Sequence, residues 1–244
     1  MRFGFQVGAA LLSLLAASAC SNEDKTPTGP VLITGSGNVV TESRTVSPVH
    51  SVDLRMVGTV NLLPSGTQAL SVRADDNILP AVATRDSSGI LIIEVKAGSA
   101  ITGYTLAVDL TLPDVDGAVM SSAGTIAGSG FVLDGLSVVL AGAGTINLDV
   151  TADAVSSVLA GAGSIIIAGS TDAHQIVSVG PGAVRAFGLV SGTTSVVLSG
   201  TGPVEVTATT ALSVVISGSG SVYYKGSPTL SSVITGTGAV IDAN

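Results

Sequence analysis

The chain has 244 residues, 31 of them glycine, with 46% apolar, 3% aromatic and 11% charged side chains, where a globular domain carries about 25% charged residues. Such apolar content excludes a disordered chain, and the glycine and β-branched residues behind it disfavour helix. Nine basic against seventeen acidic residues, a net −8, offer no footprint for nucleic acid, while one cysteine and two histidines make a zinc cluster, a disulfide framework or a Cys/His protease hard to build.

Residues 1–19 carry one positive charge, Arg2, then an apolar run from Val7 to Leu15 that is too short to span a bilayer. This has the shape of an export signal. The only cysteine, Cys20, follows the small residues Ala17-Ser18-Ala19. The segment resembles a bacterial lipoprotein lipobox, which implies cleavage before Cys20 and a lipid on its thiol. The alternative is an ordinary secretory signal that leaves Cys20 as an unpaired thiol. By the same resemblance, Ser21 in place of Asp implies the outer membrane or cell surface, with the periplasmic side open. Residues 20–30 are small, polar and proline-containing, the composition of a flexible tether.

Residues 31–116 hold 14 charged residues in 86, against 8 in 128 over residues 117–244. Strand-like runs occur at 69–74, 90–95 and 105–112, with 75–86 as an excursion. Gly37 and Gly58 each precede a valine by two residues, Val39 and Val60. Residues 31–244 are thus expected to form one solenoid, irregular over 31–116 and regular over 117–244.

The regular part is a repeat. Anchor glycines stand at Gly124, Gly144, Gly163, Gly182, Gly202, Gly220 and Gly238, spaced by 20, 19, 19, 20, 18 and 18 residues. A valine lies five before every anchor, from Val119 to Val233, and a Val or Ile two after it, from Ile126 to Val240. Each unit is a β-branched run, a Gly-x-Gly break expected to take the positive φ of a tight corner, and a second alternating run. Neither run buries its apolar face alone, so the units must stack. The period is too short for a propeller blade. It suits one coil of a right-handed parallel β-helix, with seven coils making a rod about 34 Å long.

The order G-S-G-N-V-V-T-E-S-R-T-V-S-P-V-H-S-V-D-L, V-G-T-V-N-L, V-R-A-D-D-N-I-L-P, L-I-I-E-V and then G-A-G repeats resembles the head GIN domain family of auto-transporter adhesins over residues 33–240. The resemblance implies a β-helical fold in an exported or lipidated bacterial protein. The adhesin label is itself an analogy and says little of function.

Sites of chemistry are scarce. Calcium-binding nonapeptide rolls place an Asp where Val or Ile stands here two after the anchor. Dinucleotide fingerprints need a following helix, whereas these glycines lie between strands. The doublet Asp75-Asp76 reads as a turn, His50 and His174 as structural residues, and half of the Tyr223-Tyr224 pair as core. No catalytic residue, metal or cofactor is expected. What remains is surface. With Val138/Leu140, Val196/Leu198 and Val214/Ile216 inward, Ser137, Val139 and Ala141, then Ser195, Val197 and Ser199, then Ser213, Val215 and Ser217 face outward, although Ser178 breaks the inward pattern. The second runs leave a chemically mixed outward column of Asn147, Ile166, Arg185, Glu205 and Tyr223. The expected function is a non-enzymatic, adhesin-like module of the cell envelope. Its partners would be the membrane through the Cys20 anchor, and a second copy or a protein or glycan ligand on the Ser/Val face. The alternative is a polysaccharide lyase or hydrolase, which would require two or more of Arg73, Asp75, Asp76, Asp109, Asp114 and Asp116 in one cleft.

Overall fold

A computed structural model describes residues 29–244; Cys20 and the segment read as an export signal lie outside the described residues. Apart from one 3-10 turn at Leu79–Ala81, the regular structure among them is strand. The irregular part contains β1 (Val31–Thr34), β2 (Val39–Arg44), β3 (Ser51–Leu54), β4 (Thr59–Pro64), β5 (Ala69–Asp75), β6 (Val82–Ser87), β7 (Ile90–Val95), β8 (Ser99–Thr102) and β9 (Leu106–Leu112), and the regular part opens with β10 (Gly117–Met120). The repeats form β11 (Thr125–Leu140), β12 (Thr145–Leu159), β13 (Ser164–Ser178), β14 (Ala183–Leu198), β15 (Val204–Ile216), β16 (Val222–Lys225), β17 (Thr229–Ile234) and β18 (Val240–Asp242).

From β10 onward every pairing is parallel, coil upon coil, as a β-solenoid requires. The repeat positions found in the sequence are the register itself. Ile126, Ile146, Ile165, Val184, Val204 and Val222 pair in succession and are each buried, so one continuous column of side chains fills the interior. Each such side chain contributes about 1.5–3 kcal/mol by leaving water, but only once a neighbouring coil covers it. The long strands turn a corner midway, where alternation slips: in β12 both Asp153 and Ala154 face out before Val155 returns to the core. One strand of 15 residues thereby serves two flat faces.

The Gly-x-Gly breaks have a different cause from the one expected. None of the anchor glycines has positive φ. Their requirement is proximity. A Cβ on Gly144 would fall on the Gly124 carbonyl oxygen, one on Gly163 on that of Gly144, and one on Gly202 on that of Gly182. Two glycine columns therefore let successive corners close onto each other, with coil-to-coil bonds such as Gly182 N–H to Gly161 C=O at 3.2 Å.

The irregular part mixes two pairing modes. β3 lies parallel between β10 and β7, and β4 parallel between β11 and β9, which continues the stack by two coils. Val60 takes the column position of Ile126, as the Gly58 spacing suggested. Gly37 does not do the same: Val39 is 42% exposed and β2 runs antiparallel to β5. β5 in turn pairs antiparallel with β9, and β6 with β7, so antiparallel strands close this end of the stack.

Candidate functional site

The exposed surface of the first-strand sheet is built by register alone. Val119, Val139, Val158, Val177, Val197, Val215 and Val233 pair in sequence and form one ladder. Beside it run Gly117, Ser137, Ser156, Gln175, Ser195, Ser213 and Ser231. On its far side stand Ser199 and Ser217, whose hydroxyls bond each other at 3.0 Å. Ser137, Ser195, Val197, Ser199, Ser213, Val215 and Ser217 are all exposed and Val139 half-buried, while Val138, Leu140, Val196, Leu198, Val214 and Ile216 are buried. The structure thus brings the eight outward residues onto one face. Ser178 does not disturb it: neighbouring strands hold it between Leu159 and Leu198, where its hydroxyl is buried without a hydrogen-bond partner among the described residues.

At the N-terminal end the same ladder continues into Asp53 and Ile92. Here a charge network replaces the valines. The Arg55 guanidinium reaches Asp53 at 2.7 Å and Glu94 at 3.2 Å, and Arg85 reaches Glu94 at 2.9 Å. The bond and charge of Arg85 hold the Glu94 carboxyl below its usual range, with Arg55 adding to the effect.

A groove of about 710 Å³ crosses six successive strands beside the ladder, from Ile90 of β7 to Gln175 of β13, walled by Ser51, Ser137, Ser156 and Gln175 and floored by Leu136 and Val155. Gly135, Ala154 and Ala173 form its small-residue margin. Asp116 sits at its N-terminal end, accepting a bond from the Ser51 hydroxyl and lying 2.7 Å from His50 Nδ1. Desolvation raises the Asp116 pKa, but the bonds from His50 and Ser51 outweigh it and hold the group low. Nothing in the sequence linked His50, Ser51 and Asp116, which meet only because β10 stacks on β3. Both Ser51 and His50 approach the carboxylate; the imidazole does not lie between serine and acid, so no base activates the hydroxyl.

The remaining acidic residues are engaged separately. The Asp75 carboxylate accepts from the Thr105 and Gly37 amides, which keeps its pKa low. Asp76 accepts from the Ser36 hydroxyl and the Asn38 amide. Asp75 ends β5 and Asp76 opens the turn that follows, and the two together pin β2 to the stack. Asp109 accepts from Asn61 at 2.6 Å on another strand pair. Among the described residues no group of three His, Cys, Asp or Glu side chains converges on a point that could hold a metal ion.

The two histidines are structural in different ways. His50 is held by Asp116, whereas His174 is buried, with Nε2 3.0 Å from the Ser157 hydroxyl. Desolvation pushes the His174 pKa down to about 4. Of the adjacent tyrosines, Tyr224 packs on the core and Tyr223 joins the mixed column beside Glu205.

The family model described as "Putative auto-transporter adhesin, head GIN domain" matches residues 50–228. Among solved structures, a putative adhesin from Bacteroides fragilis superposes with a TM-score of 0.82 at 22% identity, over 86% of this chain and 99% of that one. A putative lipid binding protein from Parabacteroides distasonis gives 0.72 at 20% identity, over 87% and 100%. A putative adhesin from Parabacteroides merdae gives 0.68 at 18%, over 88% and 100%. Among curated proteins none matches the sequence. Likeness at this level of identity carries the fold.

Proposed function

The chain belongs to the family described as "Putative auto-transporter adhesin, head GIN domain", and from that premise we propose that it is an exported, non-enzymatic binding module that docks its ligand on the Ser/Val face. One observation carries the reading: from Val119 to Val233 the outward ladder is unbroken valine, and neither row beside it, mostly serine on one side and Ala141, Ala160, Val179, Ser199 and Ser217 on the other, carries a charge. An uncharged apolar strip bordered by small and uncharged side chains is the composition of a contact surface rather than of an ordinary solvated face. The carboxylates that a glycoside-cleaving site would need are each bound to different partners, which favours binding over cleavage. Cys20 is proposed as the lipid anchor that holds this rod at the outer membrane.

The test is binding of the purified protein to arrays of glycans and envelope proteins. Saturable binding to a component, lost in Val139→Lys and Val197→Lys, is the expected result. Binding unchanged in both variants overturns the face, and shortening of a polysaccharide overturns the non-enzymatic reading. For the anchor, Cys20→Ala should leave protein in the soluble fraction or as uncleaved precursor; a cleaved variant that still partitions with membranes overturns it.

A further inference from the structure

The two ends of the stack are finished differently. At the N-terminal end the antiparallel strand β6 covers the edge of β7 and brings Arg85 and Asp86 with it. At the C-terminal end, among the described residues, β17 pairs only with β15, and β18 only with β16. All six residues of β17 are exposed, including Leu230 at 42% and Ile234 at 43%. In register these two continue the buried positions Leu212 and Ile216. The core column is open there.

The hydrogen-bond phase of that edge follows from the coil before it. The Ile216 carbonyl turns toward β17 and accepts from Thr235 N–H at 2.9 Å, while Ser217 N–H turns back to Leu198. In a parallel ladder the groups alternate between the two neighbours. Leu230, Ser232 and Ile234, in register with Leu212, Val214 and Ile216, therefore aim their N–H and C=O groups at the free side. Such an edge is a template for another strand.

We infer that this edge pairs with β17 of a second copy, in a two-fold, tail-to-tail dimer. A two-fold axis at Ser232 makes the strands antiparallel and sets Leu230 against Ile234 of the second copy, Ser232 against itself, and Ser231 against Val233. Every inward side chain then meets an inward one, Leu230 against Ile234 on either side of a central serine pair, and the aimed groups make about six hydrogen bonds. Closing a parallel stack with an antiparallel strand is what the molecule already does with β6 on β7. Charge favours the same end. Residues 226–241 hold no charged side chain, so tail-to-tail docking sets no like charges against each other across the seam.

Sedimentation of the full chain from about 1 to 300 µM, the range of a small interface, should show a monomer converting to a dimer and stopping there. Ser232→Pro removes a donor that serves only the free edge, where proline is tolerated, and Ile234→Lys places a charge in the seam. Each should weaken dimerisation about tenfold or more while leaving the strand spectrum unchanged. In a Cys20→Ser background, Ser232→Cys should oxidise to a cross-linked dimer and Ser231→Cys should not, because only residue 232 opposes itself. A monomer across the whole range, growth into filaments, or equal cross-linking at 231 and 232 overturns the proposal. Should Ser232→Pro unfold, the cross-linking pair still decides it.

Discussion

His174 stands in a column with Leu136, Val155, Thr194, Leu212 and Leu230, so a titratable ring occupies a place that mostly aliphatic side chains fill in the other coils. Burial favours its neutral form, and its pKa in the folded protein, about 4, lies below the unfolded value near 6.5. Between these two values the unfolded chain binds the extra proton, so stability falls as pH drops from about 6.5 to 4 and is unaffected above that window. His174→Leu should flatten this dependence, worth at most about 3 kcal/mol, in denaturant melts at pH 7 and 4.5; an equally steep loss in the variant would show that other groups drive it. Ser178 offers the opposite case. Its buried hydroxyl has no hydrogen-bond partner among the described residues, so Ser178→Ala should raise stability by about 1 kcal/mol in the same melts.

At the scale of the coil, the glycine columns set what the stack tolerates. Gly163→Ala drives a methyl group into the Gly144 carbonyl and the Leu140 side chain, and separating two backbones should cost about 3 kcal/mol or more. Gly135→Ala is the control: its nearest neighbour would be the Ala154 carbonyl at 3.8 Å, and the next coils already carry Ala154 and Ala173 there. Thermal melts should separate the two variants widely. The repeat made this level readable in advance, since seven anchors with a valine five before and a Val or Ile two after fix the register, the core column and the outward face. The reason for the glycines was not readable, because a tight turn and a close approach both select glycine and only the stacked corners tell them apart. Residues 31–116 lack the repeat, and there local pattern failed: Gly37 and Val39 mimic a coil, yet the Asp75 carboxylate claims the Gly37 amide and turns β2 into an antiparallel strand. The groove at Asp116 was hidden for the same reason, since residues 50 and 116 meet through a strand pairing that no short-range signal marks.

Over the whole molecule each coil touches only its neighbours, so protection should grade along the axis rather than be uniform. Amide exchange in dilute protein should be slowest in β12–β14 and fastest in β17 and β18, where coverage is one-sided; uniform protection would mean that the rod opens as one unit. The in-register columns carry a further consequence, for how such a protein changes over generations. Because every coil meets the next through the same positions, duplicating residues 145–163 inserts one finished layer and displaces nothing but the distance between the ends, by about 4.8 Å. Inserting half that length would rotate every later side chain off its column. Small-angle scattering on the two variants would register one as a longer rod and the other as a misassembled chain. The fold is in that sense a ruler whose gradations are whole coils, and the distance between the two ends of the molecule is a quantity heredity can add to in single steps.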